Sequence, residues 1–120
     1  MLSRQELGAR GEALAAAHLQ RAGYRLLRRN HRTNLGELDL VCQDGPELVF
    51  VEVKTRIGGR ESRPEESVDP RKVRQLARLA EAYLAAEGQE EAMWRIDVVA
   101  VVLDSGGRQQ RLEHLRNAVY

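Results

Sequence analysis

Apolar and polar residues recur along this chain with two different periods, and the points where the period changes divide it into elements. From about Ser3 to Ala22, Leu7, Leu14 and Leu19 fall near helical spacing in a stretch rich in Ala, Leu, Glu, Gln and Arg, which predicts a helix that Gly23 stops. Tyr24 to about Asn30 alternates as a first strand, Tyr24, Leu26 and Arg28 against Arg25, Leu27 and Arg29. Two further strands, Gly36 to Val41 and Leu48 to Lys54, flank the turn-rich Gln43-Asp44-Gly45-Pro46 and read as an antiparallel hairpin. Asp69 as N-cap and Pro70 at the first helical position open a second helix running to about Glu87, with Leu76, Leu79, Ala80, Tyr83 and Leu84 as its buried stripe. Trp94 to Leu103 is almost continuously apolar, as expected of an interior strand covered on both faces. Beyond the Ser105-Gly106-Gly107 turn, Gln110 to Leu115 adds an edge strand. Arg56 to Asp69 has no periodicity, is rich in Gly, Arg, Glu and Ser, and reads as a mobile loop whose length points to function. The predicted order is helix, three strands, helix, strand and a short last strand, an α/β arrangement of a mixed sheet flanked by helices.

Charges interrupt this apolar pattern in the hairpin. Strict alternation puts Glu37, Asp39 and Val41 on one face of the first hairpin strand, and Leu38, Leu40 and Cys42 on the other. Leu48, Phe50, Glu52 and Lys54 share a face of the second. A Gly45-Pro46 loop sets Asp39 opposite Glu52 and Glu37 opposite Lys54; a slip of two residues sets Glu37 opposite Glu52 and leaves all four groups on one face. Like charges side by side on a sheet repel unless a cation lies between them, and a small set of hard oxygen ligands suits Mg2+ or Mn2+. The plain alternative is a solvated face with cross-strand ion pairs worth less than about 1 kcal/mol each.

Composition sharpens one part of this. The chain has 17 arginines and two lysines, so a lysine two residues after Glu52 suggests selection for an amine, whose pKa shifts in ways a guanidinium's does not. At 120 residues the expectation is a single domain, residues 1–120, and a net charge of +1 leaves nucleic-acid binding to local patches. No apolar run has the length of a membrane span and the N-terminus is too polar for a secretory signal, so a cytoplasmic protein with no membrane partner is expected. Cys42 reads as a buried small hydrophobe. His18, His31 and His114 show no metal-ligand spacing and read as surface or satisfied histidines.

Basic residues gather in two places. Arg25, Arg28, Arg29, His31 and Arg32 form a dense run, and Arg56, Arg60, Arg63, Arg71, Lys72, Arg74 and Arg78 form a second group diluted by Glu61, Glu65, Glu66 and Asp69. A solvated charged face explains such groups as readily as phosphate contact does. If they bind nucleic acid, the shortage of aromatics (one Trp, one Phe, three Tyr) argues against base stacking on single strands.

A helix carrying a glutamate, followed by a hairpin with Asp on one strand and Glu-x-Lys on the next, resembles the PD-(D/E)XK nuclease superfamily. Within it the chain is similar to the YraN-like family, whose relatives include archaeal Holliday-junction resolvases. The resemblance rests on Gly8-x-x-Gly11-Glu12, Asn30, Gly36-Glu37-Leu38-Asp39-Leu40-Val41, Val49 to Arg56, Val68-Asp69-Pro70-Arg71-Lys72 and Arg95-Ile96-Asp97-Val98-Val99, which extend over most of the chain. It implies a restriction-endonuclease-like αβββαβ core and a metal-dependent, structure-selective endonuclease of DNA repair or recombination. It also implies Asp39 and Glu52 as metal-binding acids, the Val53 main-chain carbonyl and Glu12 completing the set, and Lys54 as the catalytic lysine. Leu38 stands where the superfamily usually has Pro, and the role of Glu37 is open. Small Gly8 and Gly11 would let the helix approach the sheet and carry Glu12 in. Arg29, Arg32, Arg56, Arg60, Arg71 and Lys72 are the expected phosphate contacts, on branched or duplex DNA rather than single strands. Rival readings are a non-catalytic nucleic-acid binding module on the same fold and an enzyme acting on RNA. The resolvases' symmetric dimers leave a homodimer open.

Overall fold

The computed structural model describes residues 2–58 and 69–118. Ser3 opens α1 (Arg4–Arg21): its hydroxyl accepts the Glu6 N–H at 3.1 Å while the Glu6 carboxylate accepts the Ser3 N–H at 2.9 Å, a reciprocal cap. Then come β1 (Arg25–Thr33), β2 (Gly36–Asp44), β3 (Glu47–Ile57), α2 (Pro70–Ala86), β4 (Met93–Leu103) and β5 (Gln109–Leu115). The sheet order is β1-β2-β3-β4-β5, with β3 and β4 parallel through the α2 crossover and every other pair antiparallel. The restriction-endonuclease-like order read from the sequence is therefore present, with β5 as the added edge. As expected, Asp69 accepts the Arg71 N–H at 2.9 Å and caps α2 with Pro70 behind it. β1 runs three residues past Asn30. β3 extends to Ile57, into the segment read as a loop; residues 59–68 of that segment, with Arg60 and Arg63, lie outside the described residues. Among the described residues no helix is long and apolar enough to cross a membrane.

Each helix covers one face of the sheet. Ala15, Ala16 and Leu19 of α1 pack on Leu40, Cys42, Val49, Val51, Val99, Val101 and Leu103. Leu76, Leu79, Ala80, Tyr83 and Leu84 of α2 pack on Leu38, Val41, Leu48, Phe50 and Ile96. The α1 contact is made of small residues, so the helix lies close; a Cβ on Gly11 would run into the Thr55 side chain of β3, whereas one on Gly8 would meet open space. Of the two glycines expected to permit the approach, Gly11 alone does so. Cys42 is fully buried, and burial, helped by the nearby Asp97 charge, pushes its thiol up to about 12, which leaves it inert as expected.

One expectation fails, and its failure builds the site. Leu38 and Val41 both pack under α2 while Leu40 and Cys42 pack under α1, so strict alternation is broken between Leu38 and Leu40. Glu37, beside Glu12 of α1, does not share Val41's face, and the four hairpin charges do not line up on one side. The partner strand breaks at the same rung. Arg28 stacks over Tyr83 of α2, and the His31 ring meets Tyr83 edge-on, yet Asn30 between them turns to Glu12 of α1. Asn30 has φ +51°, a left-handed conformation in mid-strand that asparagine tolerates better than most residues. The pairs Arg29↔Leu40 and His31↔Leu38 put Asn30 across from Asp39.

The hairpin end carries a second polar cluster. Asp97, fully buried, accepts hydrogen bonds from Arg95 Nε at 3.0 Å, the Tyr24 hydroxyl at 3.2 Å and the Asn117 N–H at 2.9 Å, and faces His114 Nε2 at 2.8 Å. Arg95 also reaches Asp44 and Glu47, each at 2.9 Å, so one guanidinium ties β4 to both sides of the β2–β3 turn. His18 Nε2 lies 3.4 Å from His114 Nδ1. These two histidines are satisfied, as expected, and are neighbours in the fold.

Candidate functional site

The acids meet at the other end of the hairpin, where the two strands part. The β2–β3 ladder runs from Asp44↔Glu47 to Leu40↔Val51, the register expected of a Gly45-Pro46 loop, and sets Asp39 opposite Glu52 at its end. There the Asp39 carboxylate itself accepts the Val53 N–H, at 2.8 Å. Glu12 arrives from α1, carried in by the close approach at Gly11. One carboxylate oxygen each from Glu12, Glu37 and Asp39 lies within 4.8 Å of the other two. Glu52 stands on the α2 side, its side chain only 13% exposed, with Oε1 3.8 Å from Lys72 Nζ. Glu12, Asp39 and Glu52 line one cavity of about 580 Å³ together with Val53, Thr55, Arg4 and Arg56.

Electrostatics mark this cavity as short of positive charge. Burial pushes the Glu52 carboxyl up to about 7, helped by Asp39 and Glu37 and opposed by Lys72 and Lys54. Burial also raises Asp39, against the hydrogen bond from Val53, with Glu37 adding to the rise and Lys72 countering it. Glu12 is raised by burial and by Asp39 and Glu37, while a hydrogen bond from Asn30 and the Arg29 charge work the other way. Asp39 raises Glu12 and Glu52, and Glu37 raises all three, the condition a divalent cation relieves. The Glu12, Glu37 and Asp39 oxygens fit one: carboxylates from α1 and β2, at a spacing a hard cation bridges.

Against the sequence, the structure brings together Glu12, Asp39 and Glu52 as lining of one cavity, and adds Glu37 beside Glu12 and Asp39. Val53 is at the site and donates its N–H to Asp39. Lys54 follows Glu52 on β3 and its charge reaches Glu52. Arg56 lines the cavity, as does Arg4, which no spacing in the sequence singled out among the surface charges of α1. Arg29 is exposed with its charge felt at Glu12; Arg32, 81% exposed, pairs with Glu37 at 3.3 Å; Arg71 is exposed at the start of α2. Lys72, at the start of α2, has its Nζ 3.8 Å from Glu52 Oε1. Arg60 lies outside the described residues.

Fold and cavity together define an α/β protein with a nuclease-like core and an acidic cluster able to hold a metal ion. The chain belongs to the uncharacterised protein family UPF0102, whose model matches residues 11–101, and this is the YraN-like family its motifs resemble. It is 48% identical over 116 residues to a UPF0102 protein of Pelotomaculum thermopropionicum, covering 97% of each chain. It is 50% identical over 111 residues to one of Anaeromyxobacter dehalogenans, covering 92% of this chain and 81% of the relative. Among solved structures, SfsA of Pyrococcus furiosus in complex with Ca2+ matches with a TM-score of 0.43 and 15% identity, over all of this chain and 66% of that one.

Proposed function

We propose that this protein is a metal-dependent, structure-selective endonuclease that hydrolyses DNA phosphodiester bonds in branched or duplex substrates. The observation that carries the reading is the cavity itself, in which Glu12, Asp39 and Glu52 share one space with Arg4 and Arg56. Acids alone repel a phosphate and arginines alone only bind one; a cleft holding both suits a phosphate that arrives with a cation.

Asp39, Glu52 and Glu12, with the Val53 main-chain carbonyl, would hold Mg2+ or Mn2+. Such an ion supplies charge neutralisation at the scissile phosphate and a lowered pKa for water. Asp39 is kept in place by the Val53 N–H, so its free oxygen keeps a fixed aim. Lys54, a compact ammonium beside Glu52, orients the attacking water and stabilises charge building at phosphorus. Water adds to phosphorus, the bond to one sugar oxygen breaks, and that oxygen takes up a proton. Arg4 and Arg56 at the cavity, with Arg29, Arg32 and Arg71 outside it, hold neighbouring phosphates without reading bases.

The test is a labelled panel of four-way junction, flap, linear duplex, single strand and RNA, incubated with the wild type in Mg2+, Mn2+ or EDTA. Cleavage of a junction or duplex in either metal and none in EDTA is expected. Salt-sensitive retention of a branched species, uncut in every metal, would turn the reading to a binding module. Preferential cutting of RNA would contradict the substrate assignment.

A further inference from the structure

We propose that Asn30 is a positioning residue of the acidic site: its side-chain amide ties Glu12 to Glu37 across two elements, and its left-handed backbone turns the β1–β2 rung so that Asp39 joins them. Three observations meet at this one residue. With its amide nitrogen facing the acids, the orientation its neighbours require, Asn30 donates to Glu12 Oε1 at 2.8 Å and to Glu37 Oε1 at 2.9 Å. Both of its N–H bonds are spent on carboxylates from different elements, α1 and β2. Its φ of +51° stands out in mid-strand, and residues held in that region gather at functional sites. And alternation breaks on β2 at the residue across from it, leaving Leu38 and Val41 under α2 and Leu40 under α1.

The chemistry of the side chain matters as much as its place. Asn30 is the neutral amide in the run Arg28-Arg29-Asn30-His31-Arg32. A guanidinium there would hold the two carboxylates by its own charge and compete with any cation for them. An amide holds them by hydrogen bonds alone and leaves their charge unspent. Asn30 is exposed, so water would satisfy either carboxylate singly if the amide were gone. Water would not fix the distance between two carboxylates on separate elements. Glu37, whose other oxygen meets Arg32 at 3.3 Å, thereby becomes part of the frame of the site.

This inference rests on the metal-site reading above, and its test separates the two. Asn30→Gly keeps the backbone freedom that φ requires and removes the amide, so the variant is expected to fold with a melting temperature close to wild type. Its Mn2+ affinity, titrated calorimetrically at pH 7.5, is expected to fall roughly 10- to 100-fold, the usual loss when a group that orients a metal ligand is removed. In a Glu37→Gln background, the same change is expected to cost less, because half of what the amide holds is already gone. Equal Mn2+ affinity in wild type and Asn30→Gly would overturn the positioning role while leaving the metal site standing. If the wild type itself binds no Mn2+, the metal-site reading falls, and the tether is judged on the metal-free protein by nuclear magnetic resonance. There the two Asn30 side-chain amide protons, assigned by their loss in Asn30→Gly, are expected to exchange slowly with solvent, and Glu12→Gln and Glu37→Gln are each expected to shift them. Fast-exchanging protons insensitive to both changes would overturn the tether.

Discussion

Metal-free protein is expected to lose stability as pH rises from about 4.5 to 8, and Mn2+ to restore it at pH 8 but not at pH 5. The reason is Glu52, whose carboxyl is pushed from 4.5 up to about 7 by burial and by Asp39. A folded state that holds its proton more tightly than the unfolded chain is favoured below pH 4.5, and loses that advantage as pH climbs through 7. For Glu52 alone the swing is on the order of 3 kcal/mol. Asp39 and Glu12, also raised, add in the same direction. His18 works against them: burial, His114 and Arg21 lower its pKa, so it costs stability as pH falls below 6.5. Glu52→Gln isolates the acid. The variant is expected to show a flatter pH dependence, to melt higher than wild type at pH 8 without metal, and to gain little from Mn2+. A saturating cation adds about 2.7 kcal/mol at a hundred times its dissociation constant, so thermal melts with and without Mn2+ resolve the difference. Identical pH profiles for wild type and Glu52→Gln would show that this carboxyl is not under strain.

Arg95→Ala is expected to cost about 3–5 kcal/mol, the largest stability loss foreseen for a single substitution here, because it leaves the fully buried Asp97 charge without its guanidinium partner. Burial alone would raise the Asp97 carboxyl, but hydrogen bonds from His114, Arg95 and the Asn117 N–H hold it down at about 2. Asp97 therefore stays ionised at neutral pH. Its favourable contribution is present above the unfolded value of 3.8 and is lost as pH falls toward 2, a window separate from that of Glu52. Arg95 also bonds Asp44 and Glu47, so the substitution loosens the β2–β3 turn from β4 as well. Denaturant unfolding at pH 7.5 measures the loss; a change under 1 kcal/mol would mean that the network is dispensable. Asp44 lies five residues along β2 from Asp39, roughly 17 Å. The network closes one end of the hairpin while the other opens around the acids.

Most of the fold was legible in the sequence, because each element carries its own period: the Ala- and Leu-rich first helix, the Asp69-Pro70 cap of the second, and the apolar run of β4. Hairpin register followed from the Gly45-Pro46 turn, and with it the meeting of Asp39 and Glu52. Alternation failed at Asn30 and Asp39, since counting by twos assumes an unbroken pleat and a left-handed residue breaks it. The sequence held one hint, an asparagine amid the arginines and leucines of β1. Glu37 could not be placed for the same reason. The cluster around Asp97 was hidden differently. Tyr24, Arg95 and His114 are far apart in the chain, and no local spacing joins them; only the closing of the sheet does.

The central claim is that the acids at the open end of the hairpin serve phosphodiester cleavage, and Asp39→Asn tests it most directly. Asparagine keeps an acceptor for the Val53 N–H, so the fold is expected to survive while the charge is lost. The measurement is cleavage of the preferred labelled DNA substrate in Mg2+ by wild type and Asp39→Asn, with melting temperature taken on the same samples. The account predicts cut products from wild type, none from the variant, and a variant that melts no lower than wild type at pH 7.5. Equal cleavage by both proteins would contradict it.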